Sequence, residues 1–356
     1  MNRRILLALH RWLGLIAGLW LLTLGVTGIF LDHDEWRWLR QVEVPENWLS
    51  PSMKRYLPAT VMRYVASDAT DENRWIGGSE RGLWMTHNRG VSWEKLLFPN
   101  NRHPQVLRFA KIRADGKPII VIATDDGLWA MRNFGGPITR LALEGHFINM
   151  ISPGAHPGSI IGVDDFTGVF SLNVDQPEVI QMHDFDRPHI TGLPDTVTLY
   201  QFLFDLHFGY GLLSREWSTW INDFGGFAVA ILSLTGFLAW YLKRKWRRTK
   251  TPPQPTRRRL IMTGLYRGHA PVIGILGIVP ILYLSITGIL FNHILTFIEW
   301  GEAREVRRES LPPVWRYQSL EGEIDQVVAF SGEPERMLIS TRFGVLETLD
   351  GGATWS

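Results

Sequence analysis

Five histidines lie at the ends of long apolar segments: His10, His33, His207, His269 and His293. His10 and His33 are 23 residues apart. In a continuous helix that separation is about 35 Å, which is one membrane thickness. His269 and His293 have nearly the same separation. The spacing predicts two helices that each carry one histidine at either face of a membrane. His207 falls on the side of His33 and His293.

Paired imidazoles from facing helices can bind the iron of a b-type haem. The chain has no cysteine, so covalent c-type haem attachment, thiolate metal sites and disulfides are excluded. The spacing pairs His10 with His269 at one face. It draws a second pair from His33, His207 and His293 at the other, and leaves open one haem or two. The alternative is that these are ordinary interfacial histidines. Zinc is disfavoured because nearby Asp32, Asp34 and Asp205 lack tight ligand spacing.

Three uncharged apolar runs must position these histidines, from Trp12 to Leu31, from Phe224 to Leu242 and from Ala270 to Phe291. Each is long enough to cross a bilayer core of about 30 Å as a helix. Basic residues precede the first run and follow the second densely, which places both segments in the cytoplasm. We therefore predict an inner-membrane protein of a bacterium, with a cytoplasmic N-terminus, a periplasmic large domain and lipid as its surroundings. The basic run is read as a topology signal, not as a nucleic-acid site.

The rest of the chain contains repeated strand–turn–strand units with a glycine in the turn. They are Trp75–Trp84, Ile122–Trp129, Ile161–Phe170 and Leu338–Leu346. The first three recur about every 40–45 residues, the period of a propeller blade. Asp350–Trp355 resembles the Asp-box hairpin of sialidase-like propellers, and His87–Trp93 is a degenerate copy. A propeller needs at least about four blades. We predict a propeller-like or partial-propeller β domain, with a sandwich-like arrangement as the alternative.

The predicted fold class is a membrane α-helical bundle of three spans and an interfacial helix, with an extracytoplasmic all-β domain. The predicted segments are a first transmembrane helix (1–36), a periplasmic β domain of about three blade-like units (37–198), an interfacial helix (199–219), a second transmembrane helix (220–244), a basic cytoplasmic loop (245–266), a third transmembrane helix (267–296) and a periplasmic β segment (297–356). Each span also contains a Thr-Gly pair, at Thr27, Thr235 and Thr287. Such small residues let helices or a flat cofactor approach closely.

Three motifs resemble the PepSY-associated transmembrane family. They are Leu9–Gly18 followed by Val26-Thr27-Gly28, then Asp205–Gly211 followed by Leu234–Trp240, and finally Leu290-Phe291-Asn292-His293. Members of that family include iron-regulated inner-membrane proteins and haem-containing reductases that release iron from ferric siderophores. The resemblance therefore implies His10, His33, His207, His269 and His293 as candidate haem ligands.

These patterns support two hypotheses about function. In the first, a b-type haem protein passes electrons from a cytoplasmic donor or quinone to a periplasmic acceptor, such as a ferric chelate or a protein partner. An activity of this kind would make it a haem-dependent oxidoreductase of the ferric reductase type. In the second, the chain is a non-catalytic anchor whose β domain binds a partner for assembly or sensing. A coloured membrane fraction favours the first hypothesis.

Overall fold

A computed structural model describes residues 3–33, 36, 42, 44–52, 62–165, 168–185, 189–208, 211–213, 215–249, 253–316, 320 and 322–356. The chain divides into two compact units. A helical unit comprises Met1–Glu43 and Asp195–Tyr317, and a β unit comprises Val44–Pro194 and Gln318–Ser356. Several residues of the predicted motifs lie outside the described residues: Asp34, Phe166, Thr167, Gly209 and Tyr210.

The helical unit contains six α-helices and one π-helical turn among its described residues. The α-helices are α1 (Arg3–Asp32), α2 (Leu199–His207), α3 (Arg215–Arg248), α4 (Pro255–Arg267), α5 (Ile275–Asn292) and α6 (Ile294–Glu302). The π-helical turn, Gly268–Gly274, joins α4 to α5 without a break. The predicted interfacial helix corresponds to α2, whose first turn is capped by the Thr198 side chain accepting from the N–H of Gln201.

Three helical segments are long and apolar enough to cross a membrane, so the chain is a membrane protein with three candidate spans. They are Leu7–Asp32, Trp217–Arg248 and Pro255–Asn292. Most of their side chains face outward from the unit, as Ile16, Leu19 and Val279 illustrate. This exposure matches a lipid surrounding, since a bilayer leaves no hydrophobic gain from burying them inside the protein.

The segment predicted as a basic loop, 245–266, is mostly helical. α3 continues to Arg248, and α4 begins at Pro255. Lys and Arg have high helix propensity, so the helix continues through the basic residues instead of ending before them. Pro253 lies between these two helices, and Pro255 occupies the first turn of α4, where its missing N–H costs nothing.

The third span departs from α-helical geometry at Gly268–Gly274, before the interior proline Pro280 of α5. Pro271 lies inside this π-helical turn and has no N–H to donate, so the regular i to i−4 pattern cannot continue through it. π-helical turns occur frequently at functional sites. His269 is one of the residues of this turn.

Among its described residues, the β unit contains three four-stranded sheets and one three-stranded sheet, each an antiparallel meander in chain order. They are formed by β1 (Tyr64–Ser67), β2 (Trp75–Ser79), β3 (Gly82–Thr86) and β4 (Glu94–Leu96); by β5 (Val106–Ala114), β6 (Lys117–Thr124), β7 (Gly127–Met131) and β8 (Ile138–Ala142); by β9 (Ile148–Pro153), β10 (Ser159–Asp164), β11 (Gly168–Asn173) and β12 (Gln176–Met182); and by β16 (Ile324–Phe330), β17 (Glu333–Thr341) and β18 (Gly344–Thr348).

The remaining strands form two-stranded pairs. β13 (His189–Ile190) pairs in parallel with β19 (Thr354–Trp355) in the β unit. β14 (Thr196–Thr198) pairs with β15 (Glu305–Arg307) in the helical unit. Short 3-10 helices occupy Glu46–Trp48, Pro99–Asn101, Arg308–Ser310 and Pro313–Trp315.

The four predicted strand–turn–strand units are confirmed as the hairpins β2–β3, β6–β7, β10–β11 and β17–β18. Successive sheets pack through their first strands, β1 with β5, β5 with β9 and β9 with β16. The described residues form several small antiparallel sheets and no closed propeller, so the stronger form of the propeller prediction is not supported.

β6 has apolar side chains on both faces because its sheet packs between two neighbouring sheets. Ile119, Val121 and Ala123 belong to the core shared with the sheet of β9–β12, whereas Ile120 and Ile122 belong to the core shared with the sheet of β1–β4. A strand alternates its side chains between two faces, so a sheet packed between two neighbours needs apolar residues at every position. These two cores join the first three sheets of the β unit.

The segment after β18 is held by a hydrogen-bonded turn. Thr348 Oγ1 donates to Asp350 Oδ1 at 2.8 Å and accepts from the N–H of Gly352 at 2.9 Å. Asp350 Oδ1 also accepts from the N–H of Thr354 at 2.8 Å. The turn after β3 has the same bonds, with Thr86 and Asn88 in the places of Thr348 and Asp350.

Asp350 gives this turn a pH dependence. Hydrogen bonds from the hydroxyl and backbone of Thr354 and from Thr348 lower the pKa of Asp350 from 3.8 to about 2. A depressed native pKa stabilises the fold above the unfolded value and ceases to do so as the pH falls through about 2. We expect the wild type to lose thermal stability between pH 4 and pH 2 by a component that Asp350→Asn lacks. If the melting temperatures of the two proteins fell by the same amount over this pH range, the prediction would be wrong.

Candidate functional site

The structure brings His10 and His269 together at the end of the bundle that carries the basic residues. Their ring centroids are 6.1 Å apart, with an angle of 66° between the ring planes. His10 lies on α1 and is exposed on the helix surface, whereas His269 lies in the π-helical turn and is half-buried. Two imidazoles from different spans therefore face each other.

His269 rests on the Thr-Gly pair of α3. Its Nδ1 lies 2.9 Å from Thr235 Oγ1. A Cβ placed on Gly236 would lie 3.6 Å from His269 Cε1, so the imidazole lies directly over the glycine. The hydrogen bond occupies Nδ1 and leaves Nε2 as the nitrogen available to a ligand.

His207, at the end of α2, rests in the same way on the Thr-Gly pair of α5. Its Nδ1 lies 2.8 Å from Thr287 Oγ1, and a Cβ on Gly288 would lie 3.7 Å from its Cε1. Its backbone carbonyl accepts from Asn222 Nδ2 at 2.9 Å. Burial lowers the pKa of His207, which favours the neutral imidazole that can act as a metal ligand.

The sequence pattern of the PepSY-associated TM region matches residues 7–321, which is most of the chain. The chain belongs to the PepSY-associated TM region family. This match confirms the resemblance predicted from the three motifs. It covers the helices that carry His10, His207 and His269, and the Thr-Gly pairs that contact His207 and His269.

Other comparisons add nothing to this family assignment. No curated protein matches the chain. Among solved structures, the crystal structure of an ancestral GH74 enzyme shares 21% identity over 32% of this chain, with a TM-score of 0.27. The chain spans only 18% of that enzyme's length. At this TM-score we draw neither fold nor activity from the likeness.

His33, the fourth of the five candidate histidines, has a different environment. Its Nε2 lies 2.9 Å from Asp223 Oδ2, and its ring stacks on Trp36 at 4.3 Å with 6° between the planes. Asp223 is 4% exposed, and its second oxygen, Oδ1, has no hydrogen-bond partner among the described residues. The nitrogen that His207 and His269 leave free is engaged in His33.

His293 lies at the junction of α5 and α6 and is exposed. Its backbone carbonyl accepts from the N–H of Phe297 at 3.0 Å, so its residue forms part of the helix junction. The ring of His207 contacts Phe291 at 4.9 Å and Phe208 at 5.2 Å. Within the described residues, His33, His207 and His293 each have different neighbours, and no ring contact joins His207 to another histidine.

The geometry of a haem iron provides a test of these residues. Imidazole nitrogens bind metals at about 2 Å. Two rings that would hold one haem between them should therefore have their centres about 6 Å apart. The 6.1 Å between His10 and His269 fits this spacing. His207 fits in having Nε2 free, whereas the engaged Nε2 of His33 does not fit. The described residues contain no cluster of three or more histidine or carboxylate side chains that could hold a bare metal ion.

Sequence reasoning missed several polar residues of this family's helical unit. Tyr283 donates its hydroxyl to Asn222 Oδ1, and the neighbouring Asp223 binds His33. A signal was present, because Asn222-Asp223 opens the second span and an ionisable residue at membrane depth is costly and often functional. The Thr-Gly pairs of Thr235 and Thr287 were predicted to let helices or a flat cofactor approach closely, and their contact with histidines was not predicted.

Proposed function

We propose that this member of the PepSY-associated family is a b-type haem protein that carries electrons through its helical unit. The observation that carries the proposal is the facing pair His10 and His269, whose ring centroids are 6.1 Å apart. His10 and His269 would hold one haem at the basic end of the bundle. Bound there, a haem b supplies one-electron oxidation and reduction.

The chain's own residues support this role in two ways. Thr235 engages Nδ1 of His269, so Nε2 remains for a ligand. His207, at the opposite end of the bundle, has the same arrangement with Thr287. An imidazole held through its other nitrogen is the usual state of a metal-bound histidine in proteins.

The direction of transfer and the reaction partners belong to the same proposal. The basic residues at the end of α3 and in the first turns of α4 support a cytoplasmic location for the end that carries His10 and His269. Electrons would then enter from a cytoplasmic donor or a quinol and leave on the periplasmic side. We propose a ferric chelate, such as an iron-loaded siderophore, as the acceptor.

The test is an absorbance spectrum of the full chain, expressed with ample haem and purified in detergent. We expect sharp b-type bands in the dithionite-reduced minus oxidised difference, and one or two haems per chain by pyridine haemochrome assay. Protein from a haem-deficient culture serves as the control. A flat spectrum at full haem supply would contradict the proposal and favour a non-catalytic anchor whose β unit binds a partner.

Reconstituted vesicles test the transfer itself. A reductant enclosed in the vesicles should reduce an external ferric chelate only when the protein is present, which an external ferrous-specific dye would report. Vesicles that hold haem-free protein control for leakage. Equal rates with and without haem would contradict transmembrane electron transfer, even if the protein binds haem.

A further inference from the structure

Two histidines of the helical unit occupy equivalent seats, each made by a Thr-Gly pair on a neighbouring helix. His269 lies in the π-helical turn of the third span and rests on Thr235-Gly236 of α3. His207 lies at the end of α2, before the second span, and rests on Thr287-Gly288 of α5. The Nδ1 to Oγ1 distances are 2.9 Å and 2.8 Å. The contacts to the glycines agree within 0.1 Å, at 3.6 Å and 3.7 Å. The two seats share one geometry although different helices build them.

The hydroxyl of each threonine donates its hydrogen bond to a backbone carbonyl oxygen. Thr235 Oγ1 lies 2.7 Å from the carbonyl oxygen of Ile231, and Thr287 Oγ1 lies 2.8 Å from that of Tyr283. A carbonyl oxygen can only accept, so each hydroxyl donates its single proton to the backbone four residues earlier. The hydroxyl oxygen can then only accept from the histidine. Nδ1 must carry a proton, and the lone pair of the neutral ring is on Nε2.

The third Thr-Gly pair shows that the threonine hydroxyl makes this backbone hydrogen bond without a histidine beside it. Thr27 Oγ1 lies 2.8 Å from the carbonyl oxygen of Thr23, the same bond as in the two seats. The structure places no histidine against Thr27 among the described residues. A threonine of these Thr-Gly pairs therefore donates its hydroxyl proton to the backbone whether or not a histidine is present. An imidazole that bonds to the hydroxyl oxygen must be the donor.

We infer that Thr235 and Thr287 are positioning residues that set the tautomer and orientation of His269 and His207. Each hydroxyl fixes the neutral ring with hydrogen on Nδ1 and presents Nε2 as the nitrogen that binds iron. The ligand role of Nε2 rests on the proposed function, whereas the choice of tautomer does not. A ring held at Nδ1 is also a better electron donor to a metal through Nε2.

The first experiment needs no haem. Full-length protein with 15N-labelled histidine is purified haem-free in detergent, and its imidazole nitrogens are observed by NMR, with His269→Ala assigning the His269 signals. In the wild type, we expect the His269 signals to show a single tautomer, with hydrogen on Nδ1. Thr235→Val removes the hydroxyl at nearly constant volume and should give a mixture of tautomers. Thr235→Ser should restore the wild-type signals.

Thr27→Val is the matched control, since it removes the same hydroxyl and the same backbone bond from a seat without a histidine. It should leave the His269 signals unchanged. If Thr235→Val fails to fold, Thr287→Val tests the same inference on His207, assigned by His207→Ala. An unchanged single tautomer in a folded Thr235→Val or Thr287→Val protein would overturn the inference.

The second readout concerns haem in the loaded protein. Loss of a group that orients a metal-binding histidine typically weakens binding about 10–100-fold, so Thr235→Val should retain haem correspondingly less well. Its midpoint potential should shift upward, because a ring without an acceptor at Nδ1 donates less to ferric iron. Thr235→Ser should behave as wild type. If wild type binds no haem but Thr235→Val still mixes tautomers, the proposed function fails and the positioning role stands.

Discussion

His10→Ala and His269→Ala should each abolish the same b-type component of the reduced-minus-oxidised spectrum, and the double variant should lose no more than either. Both rings would hold the same haem, so removing either should remove the same component. Residues that act as a unit give strongly non-additive effects, and this pair should be fully non-additive. The measurement is the amplitude of the component per chain, with haem content determined in parallel.

Two other histidines serve as controls for this prediction. His103→Ala, on the exposed surface of the β unit, should leave both spectrum and stability unchanged. His33→Ala should retain the component, because Nε2 of His33 is bonded to Asp223 and its ring is stacked on Trp36. A spectrum that survives in the His10→Ala and His269→Ala variants but disappears with His33→Ala would show that the facing pair is not the ligand pair.

His33→Ala is instead expected to reduce stability. Asp223 is 4% exposed and would lose the partner of its Oδ2. Leaving a buried polar atom without its hydrogen-bond partner typically costs about 1–3 kcal/mol, and more when the atom carries a charge. His33→Ala thus tells a structural histidine from a ligand, since it should lower the melting temperature while the spectrum per folded chain remains.

The positions of the histidines along the bundle were predictable because helix rise is a local property. A spacing of 23 residues places His10 and His33 at opposite ends of a span whatever the packing. The prediction that His10 and His269 share one end agrees with their ring contact. The spans and hairpins were predictable for a similar reason, since apolar length and turn glycines act over short stretches of chain.

The neighbours of His33, His207 and His293 were not predictable in the same way. Spacing assigns the three to one end but says nothing about which side chain each one contacts. Asp223 and Thr287 reach His33 and His207 through the packing of α1 against α3 and of α2 against α5. Those contacts join residues 190 and 80 positions apart, and no local pattern encodes them. The Thr-Gly pairs were likewise visible, but not the imidazoles that lie on them.

The crossing of α1 and α3 depends on direct backbone contact at Gly25. A Cβ on Gly25 would lie 2.7 Å from the carbonyl oxygen of Gly226 and 3.4 Å from the backbone nitrogen of Ala230. A Cβ on Gly226 would in turn lie 2.9 Å from the carbonyl oxygen of Gly25. Backbone atoms of two packed helices cannot rotate aside as a side chain can. Any side chain here must push the helices apart.

Gly25→Val should therefore destabilise the helical unit and also move the facing histidines, His10 and His269, apart. Overpacking of this kind costs about 1–3 kcal/mol or more. His10 lies on α1 and His269 is bonded to Thr235 on α3, so separating these helices should move the two rings apart. We expect a lower melting temperature in detergent and, at temperatures where the variant is still folded, a weaker haem component.

Gly28→Val is the matched control, one turn further along α1, where a Cβ would have no atom within 4 Å. It introduces the same side chain, with the same helix propensity, at an open position. The difference between the two variants isolates the helix crossing from the general effect of valine in α1. If both melt alike and retain the same haem component, close contact at Gly25 is not what holds His10 opposite His269. If only Gly25→Val loses both properties, the ring pair depends on the distance between α1 and α3.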